Sequence, residues 1–161
     1  MTVRPATILF TRSAGLASWV IRWATRSRAS HVGVGMTVEG APMVIHAYGV
    51  GGVQISRRRR FMAGRILVSE FAVPGGASLG RLIADVGDRY DYEGILFFVP
   101  ILIGRWFGLR LGKPRSTQDA IACSELVAKL PIPAFRGLDP ETVTPQDLLV
   151  RCAAHLDRID S

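Results

Sequence analysis

A chain of 161 residues with 48% apolar and 20% charged residues carries enough hydrophobic material for one globular domain with a real core, which excludes a disordered polymer. Its formal net charge of +7 comes from 18 arginines and two lysines, Lys113 and Lys129, a balance that suits anionic surfaces such as phosphate, lipid headgroups or cell-wall polymers. Two cysteines, Cys123 and Cys152, are too few for a disulfide scaffold and read as free thiols.

The start, Met-Thr-Val-Arg-Pro-Ala-Thr-Ile-Leu-Phe, has a short apolar run and no small-residue cleavage site, so no secretory signal is expected. Cytoplasm, virion delivery and a dedicated secretion machine all stay open. Ala6 to Thr11 has β character, and Ser13 to Arg26 repeats Leu16, Trp19, Val20 and Trp23 at helical spacing, which predicts strand then helix. His31 to Val38 and Pro42 to Tyr48 are β-rich and joined by Glu-Gly-Ala, a hairpin connection. Gly51-Gly52 then turns into a short strand, Val53 to Ile55.

Four arginines, Arg57, Arg58, Arg59 and Arg60, interrupt the pattern as a solvated loop or an anion-binding surface. Arg65 to Val73 resumes it as a strand ending at Pro74-Gly75-Gly76. Helices are predicted from Leu79 to Tyr90, around Pro100, from Gln118 to Leu130, and from Thr144 onward. The last start signal combines a hydroxyl N-cap, Pro145 at the first helical position and the Asp147 carboxylate near the dipole. The apolar segment 94 to 111 is uninterrupted only from Ile95 to Ile103 and is broken by Pro100, whereas a spanning helix needs about 20 apolar residues. No transmembrane segment is expected; a bent, buried helix pair or a lipid-touching surface both fit. No repeat or linker divides residues 1 to 161, so the expectation is one α+β domain, a small antiparallel sheet packed by helices from the second half.

Cys123 sits in Ile-Ala-Cys-Ser-Glu-Leu-Val-Ala-Lys-Leu, where a loop becomes an amphipathic helix. Backbone N–H groups and the helix dipole there are expected to lower the thiol pKa and favour the thiolate. Its partner would be His31, 92 positions upstream in Ser-His-Val-Gly-Val-Gly-Met. Strand parity puts Val32, Val34 and Met36 on one face and His31, Gly33 and Gly35 on the other; His46 falls opposite the set Met43, Ile45 and Ala47. Both histidines can project from one side of the sheet, toward the helix carrying Cys123. In that arrangement Cys123 is the nucleophile, His31 the general base, His46 the group that orients His31, and amides near Cys123 hold an oxyanion.

Each residue also has a packing alternative. Cysteine is among the most buried residue types, so Cys123 alone passes as core, as Cys152 does on its apolar helix face. His155 suits a helix C-terminus. His-His-Cys resembles a zinc ligand set, but without close ligand pairing or a further cysteine no metal or other cofactor is expected. No nucleic-acid module accompanies the basic residues, so no nucleic-acid partner is expected.

The combined blocks resemble a family. Ser30-His31-Val32-Gly33-Val34, Val44-Ile45-His46-Ala47 with Gly52-Val53, Asp88-Arg89-Tyr90-Asp91-Tyr92, Cys123-Ser124-Glu125-Leu126-Val127 and Thr144-Pro145-Gln146-Asp147-Leu148 look like the successive blocks of the circularly permuted NlpC/P60-like cysteine hydrolases. These YiiX/YaeF-like, permuted papain-fold proteins are related to the lecithin:retinol acyltransferase group, and the histidine preceding the cysteine fits the permuted order. The resemblance implies His31 and Cys123 at the catalytic positions and His46 at the variable third position, often glutamate, with Tyr90 lining the pocket; Tyr48 is a further candidate substrate contact. It implies a hydrolase acting through a Cys123 thioester on peptide amides of cell-wall type, with lipid acyl bonds, or a non-catalytic wall- or membrane-binding module, as alternatives.

Overall fold

The computed structural model describes residues 3–48, 52–74, 79–87, 123–140 and 142–159. Five strands form one antiparallel sheet: β1 (Val3–Ser13), β2 (His31–Val38), β3 (Ala41–Tyr48), β4 (Gly52–Arg57) and β5 (Arg65–Ala72), in the spatial order β4-β3-β2-β1-β5. Helix α1 (Leu16–Thr25) links β1 to β2, α2 (Arg58–Met62) links β4 to β5, and α3 (Gly80–Ala84), α4 (Cys123–Ala128) and α5 (Pro145–His155) follow, with a 3-10 turn at Pro133–Phe135 before α5. The α+β expectation is met.

Alternation along the strands divides the sheet into two faces. Ile8, Phe10, Val32, Val34, Ile45, Ala47 and Val53 form the main core with Cys123, Leu126, Val127, Leu148 and Cys152 of the second-half helices. Leu9 and Val44 cover the reverse face with Phe61 of α2. The β5 edge is not left open: Phe71 bridges to Arg158, and the Ala72 amide donates to the Asp157 carbonyl and the Ile159 amide to the Glu70 carbonyl, which lays residues 157–159 along it.

Several boundaries differ from the sequence reading. The first strand runs from Val3 to Ser13 rather than from Ala6, because it pairs on both sides, with β2 and β5. The arginine run is not a loop. Arg57 ends β4 and Arg58 to Arg60 open α2, held by Phe61 buried against the reverse face. The Leu79 to Tyr90 helix is, among the described residues, the short α3 followed by a turn through Gly87 at φ 102. Tyr90, the segment 94–111 and residues 118–122 lie outside the described residues.

The last helix forms where its start signal predicts. The Thr144 hydroxyl accepts from the Asp147 amide, and the Thr144 amide donates to the Asp147 carboxylate, a reciprocal capping box.

Candidate active site

His31 opens β2 and His46 lies near the end of β3. As parity predicts, they share the reverse face. Their rings meet edge to face at a centroid separation of 5.6 Å, and Phe61 packs against both, at 5.7 Å from His31 and 4.9 Å from His46. The two glycines of the same face are filled by neighbouring strands, not by a helix. A Cβ on Gly33 would stand 2.8 Å from a Val44 methyl carbon and 3.3 Å from the His46 Cβ, and one on Gly35 would meet the Thr7 hydroxyl and a Leu9 methyl.

The helix carrying Cys123 packs elsewhere than expected. Leu126 and Val127 seat α4 on the core face with Val32, Val34 and Ile45, opposite the histidines. The thiol nevertheless lies near the backbone of the strand that carries His31. The β2–β3 ladder runs from Val38↔Ala41 to Val34↔Ile45, and the Val32 amide, next to His31, stands near the Cys123 sulfur with the Ser124 and Cys123 amides, all three favouring its thiolate. The sulfur thus sits against the β2 backbone, one residue from His31.

A residue the sequence reading missed ties the three together. The Arg65 guanidinium, at the start of β5, donates to the Phe61 carbonyl and lies over the Phe61 ring, 5.0 Å from its centroid. Its charge acts on His31, His46 and Cys123 alike. No motif announces it: an arginine after a Gly64 turn at φ 70 looks like any strand start, and only α2 places it over the histidine face.

The electrostatics reverse one expectation. Burial pushes the Cys123 thiol up from its ordinary value, outweighing the three amides and Arg65, which favour the thiolate. Cys123 is only 6% exposed, so desolvation wins over the backbone dipoles that the sequence reading relied on. His31 is held well below its usual range by burial, then by Arg65 and His46. His46 is lowered to about 4, by burial and then Arg65. At neutral pH the thiol and both imidazoles are therefore neutral, and no thiolate–imidazolium pair is formed at rest. His46 Nε2 is hydrogen-bonded to the Ser56 hydroxyl at 3.2 Å, which fixes its ring from β4. Tyr48 ends β3.

Cys152 is fully buried in α5 and its thiol is pushed up to about 12 by burial, in keeping with a packing role. Of the four consecutive arginines, Arg58 forms a two-pronged pair with Glu70, both bonds 2.6 Å. Arg57, Arg59 and Arg60 instead line an open groove with Gln54 and Ser56, the residue bonded to His46. Among the described residues, no helix is long and apolar enough to cross a membrane.

No family model matches the chain, and a search of curated proteins returns no significant match. Among solved structures, the crystal structure of metalloprotein YiiX from Escherichia coli O157:H7 superposes with a TM-score of 0.52 at 18% sequence identity, covering 98% of this chain and 97% of that one. At that identity the likeness speaks for the fold, and it agrees with the family that the ordered sequence blocks resemble. The chain has a YiiX-like fold.

Proposed function

We propose that this protein is a cysteine hydrolase in which Cys123 attacks a carbonyl and His31 is the general base. The observation that carries the reading is the place of the Cys123 sulfur, near the Val32 amide next to His31 and in the same field of Arg65. Because the resting pair is neutral, proton transfer accompanies attack: the sulfur forms the bond to carbon as its proton passes to His31. Backbone amides beside the sulfur stabilise the developing oxyanion. The tetrahedral intermediate then collapses and the leaving amine takes the proton from His31; water, deprotonated by His31, attacks the thioester carbonyl, the C–S bond breaks to release the acid, and the Cys123 sulfur recovers the proton from His31.

Peptide amides are the first substrate class and lipid acyl bonds the second. The groove lined by Arg57, Arg59 and Arg60 would receive an anionic part of the substrate, and its link through Ser56 to His46 makes His46 a positioning residue. Tyr90, on the strength of the resemblance, and Tyr48 remain candidate substrate contacts.

YiiX is described as a metalloprotein. The residues described here do not fit a metal centre: the histidine pair faces the Arg65 cation, which opposes a second cation, and among the described residues no three His, Cys, Asp or Glu side chains cluster. No step is routed through a metal.

The test is an acyl-enzyme trap. Incubation with p-nitrophenyl acetate followed by peptide mapping is expected to show acetyl on Cys123, none on Cys152, and none in Cys123→Ser. Absence of any Cys123 adduct, with the protein folded, would leave the non-catalytic binding module as the better reading.

A further inference from the structure

Helix α1 turns its largest apolar side chains outward. Leu16 is 77%, Trp19 54% and Trp23 49% exposed, while Val20 and Ile21 are partly buried and the fully buried residues are the small Ser18 and Ala24. Spacing of three and four residues stacks these side chains on one stripe, and the two indoles lie nearly parallel, 6.4 Å apart at 12°. A single exposed apolar residue is ordinary; an aligned stripe with two tryptophans marks a contact surface.

The surroundings define the chemistry of what it contacts. No Asp or Glu occurs in the sequence before Glu39, and Arg12, Arg26 and Arg28, which flank the helix, are all exposed. Indole rings favour the boundary between polar and apolar media, and arginines reach from such a boundary to phosphate. A helix of ten residues is about 15 Å long, too short to cross a bilayer but suited to lie in its surface. Pairing with a second copy would bring two arginine-rich segments together, which the charge disfavours.

We propose that α1 docks this protein flat on a bilayer rich in anionic phospholipid, with Leu16, Trp19 and Trp23 sunk into the headgroup boundary and Arg12, Arg26 and Arg28 on the phosphates. The helix is fixed for this role. The Ser18 hydroxyl accepts from the Ser13 amide and shares a 2.7 Å hydrogen bond with the Ser30 hydroxyl, so the stripe is held rigidly beside the residue preceding His31. The proposal stands whether or not Cys123 is a nucleophile.

The experiment is co-sedimentation of the full chain with vesicles of phosphatidylcholine alone or of equal parts phosphatidylcholine and phosphatidylglycerol, at low and high salt. Binding is expected on the anionic vesicles, weakened by salt, and weaker on the neutral ones. The combined variant Leu16→Ser/Trp19→Ser/Trp23→Ser should lose about tenfold or more in partitioning, and Arg12→Gln/Arg26→Gln/Arg28→Gln should lose the salt dependence. Arg57→Gln/Arg59→Gln/Arg60→Gln should weaken binding less than the α1 arginine variant does and keep the dependence on the stripe, which separates this face from the other basic groove. Circular dichroism checks folding; if the triple serine variant is not folded, Leu16→Ser alone carries the comparison. The proposal is overturned if the parent does not sediment with anionic vesicles, if the stripe variant binds equally well, if free glycerol phosphate displaces the protein fully, or if sedimentation velocity shows a stripe-dependent dimer instead.

Discussion

The imidazoles of His31 and His46 meet edge to face, 82° between planes, with the Arg65 charge acting on both. Neither gains from a proton in the folded state. His46 has its folded pKa lowered from 6.5 to about 4, so between those values the unfolded chain binds more protons than the folded one. Its contribution is fully present above 6.5 and is lost as pH falls toward about 4, amounting to roughly 3 kcal/mol; His31 adds in the same direction. Glu70 also has a lowered pKa, mainly through Arg58, but its loss begins only in the carboxylate range. Urea midpoints should therefore decline through the histidine window before carboxylates titrate, and His46→Asn should flatten that part of the curve. A midpoint constant across the window would show that the rings are solvated.

Arg65 is predicted to hold both halves of the site in place. Replacing it with Gln removes a cation that favours the Cys123 thiolate and disfavours histidine protonation, so the thiol and both imidazoles should all rise. Iodoacetamide labelling of Cys123 in mildly alkaline buffer should slow by roughly three- to tenfold, while Arg65→Lys should recover much of the rate. His31→Ala should slow labelling further. If Arg65→Gln and Arg65→Lys label like the parent, the charge has no influence at the sulfur.

Arg58 has a structural role that its three neighbours lack. Its guanidinium spans both oxygens of Glu70, a carboxylate only 4% exposed. Arg58→Met leaves that charge buried without its cation and should cost about 3 kcal/mol, discounted because Arg58 itself is partly solvated. Arg57→Ala, Arg59→Ala and Arg60→Ala should each stay within about 0.5 kcal/mol of the parent. Thermal melts of the four variants decide this, and an equal loss at all four would remove the distinction.

How legible the molecule was in its sequence varied with the range of the interaction. Local signals held: the Thr144–Asp147 capping box needs only four residues, and period-2 alternation put His31 and His46 on one face. Signals that depend on tertiary partners did not. The Leu16, Trp19 and Trp23 spacing reports a helix but not which side of it meets the sheet, and here the small residues do. The Cys123 thiol was expected to be low because a helix start is visible in sequence; the burial that raises it belongs to the packing of α4 on β2 and β3. Arg58 and Arg65 look alike in sequence, yet one neutralises a buried carboxylate and the other faces two histidines, a division that follows from where α2 lies.

Gly33 offers the sharpest test of how the histidine face is built. It lies one residue past the last β2–β3 rung, and a Cβ there would approach a Val44 methyl carbon to 2.8 Å, the Ile45 carbonyl oxygen to 3.2 Å and the His46 Cβ to 3.3 Å. Two of the three are parts of the β3 backbone or attached directly to it, so relief requires the strand itself to shift. Gly33→Ala should destabilise the fold by about 1–3 kcal/mol, against the modest gain that alanine normally brings a strand. The displacement should also lengthen the His46–Ser56 bond and loosen the contact with Phe61. Nuclear magnetic resonance of the His46 ring would register this as a pKa moving up from about 4 as water gains access. Gly40→Ala is a poor control because its φ of 80 strains any side chain; Gly15→Ala, with nothing within 4 Å of the added carbon, serves instead. If Gly33→Ala melts like Gly15→Ala and leaves the His46 titration unmoved, the close approach of β3 to Gly33 does not fix the histidine pair.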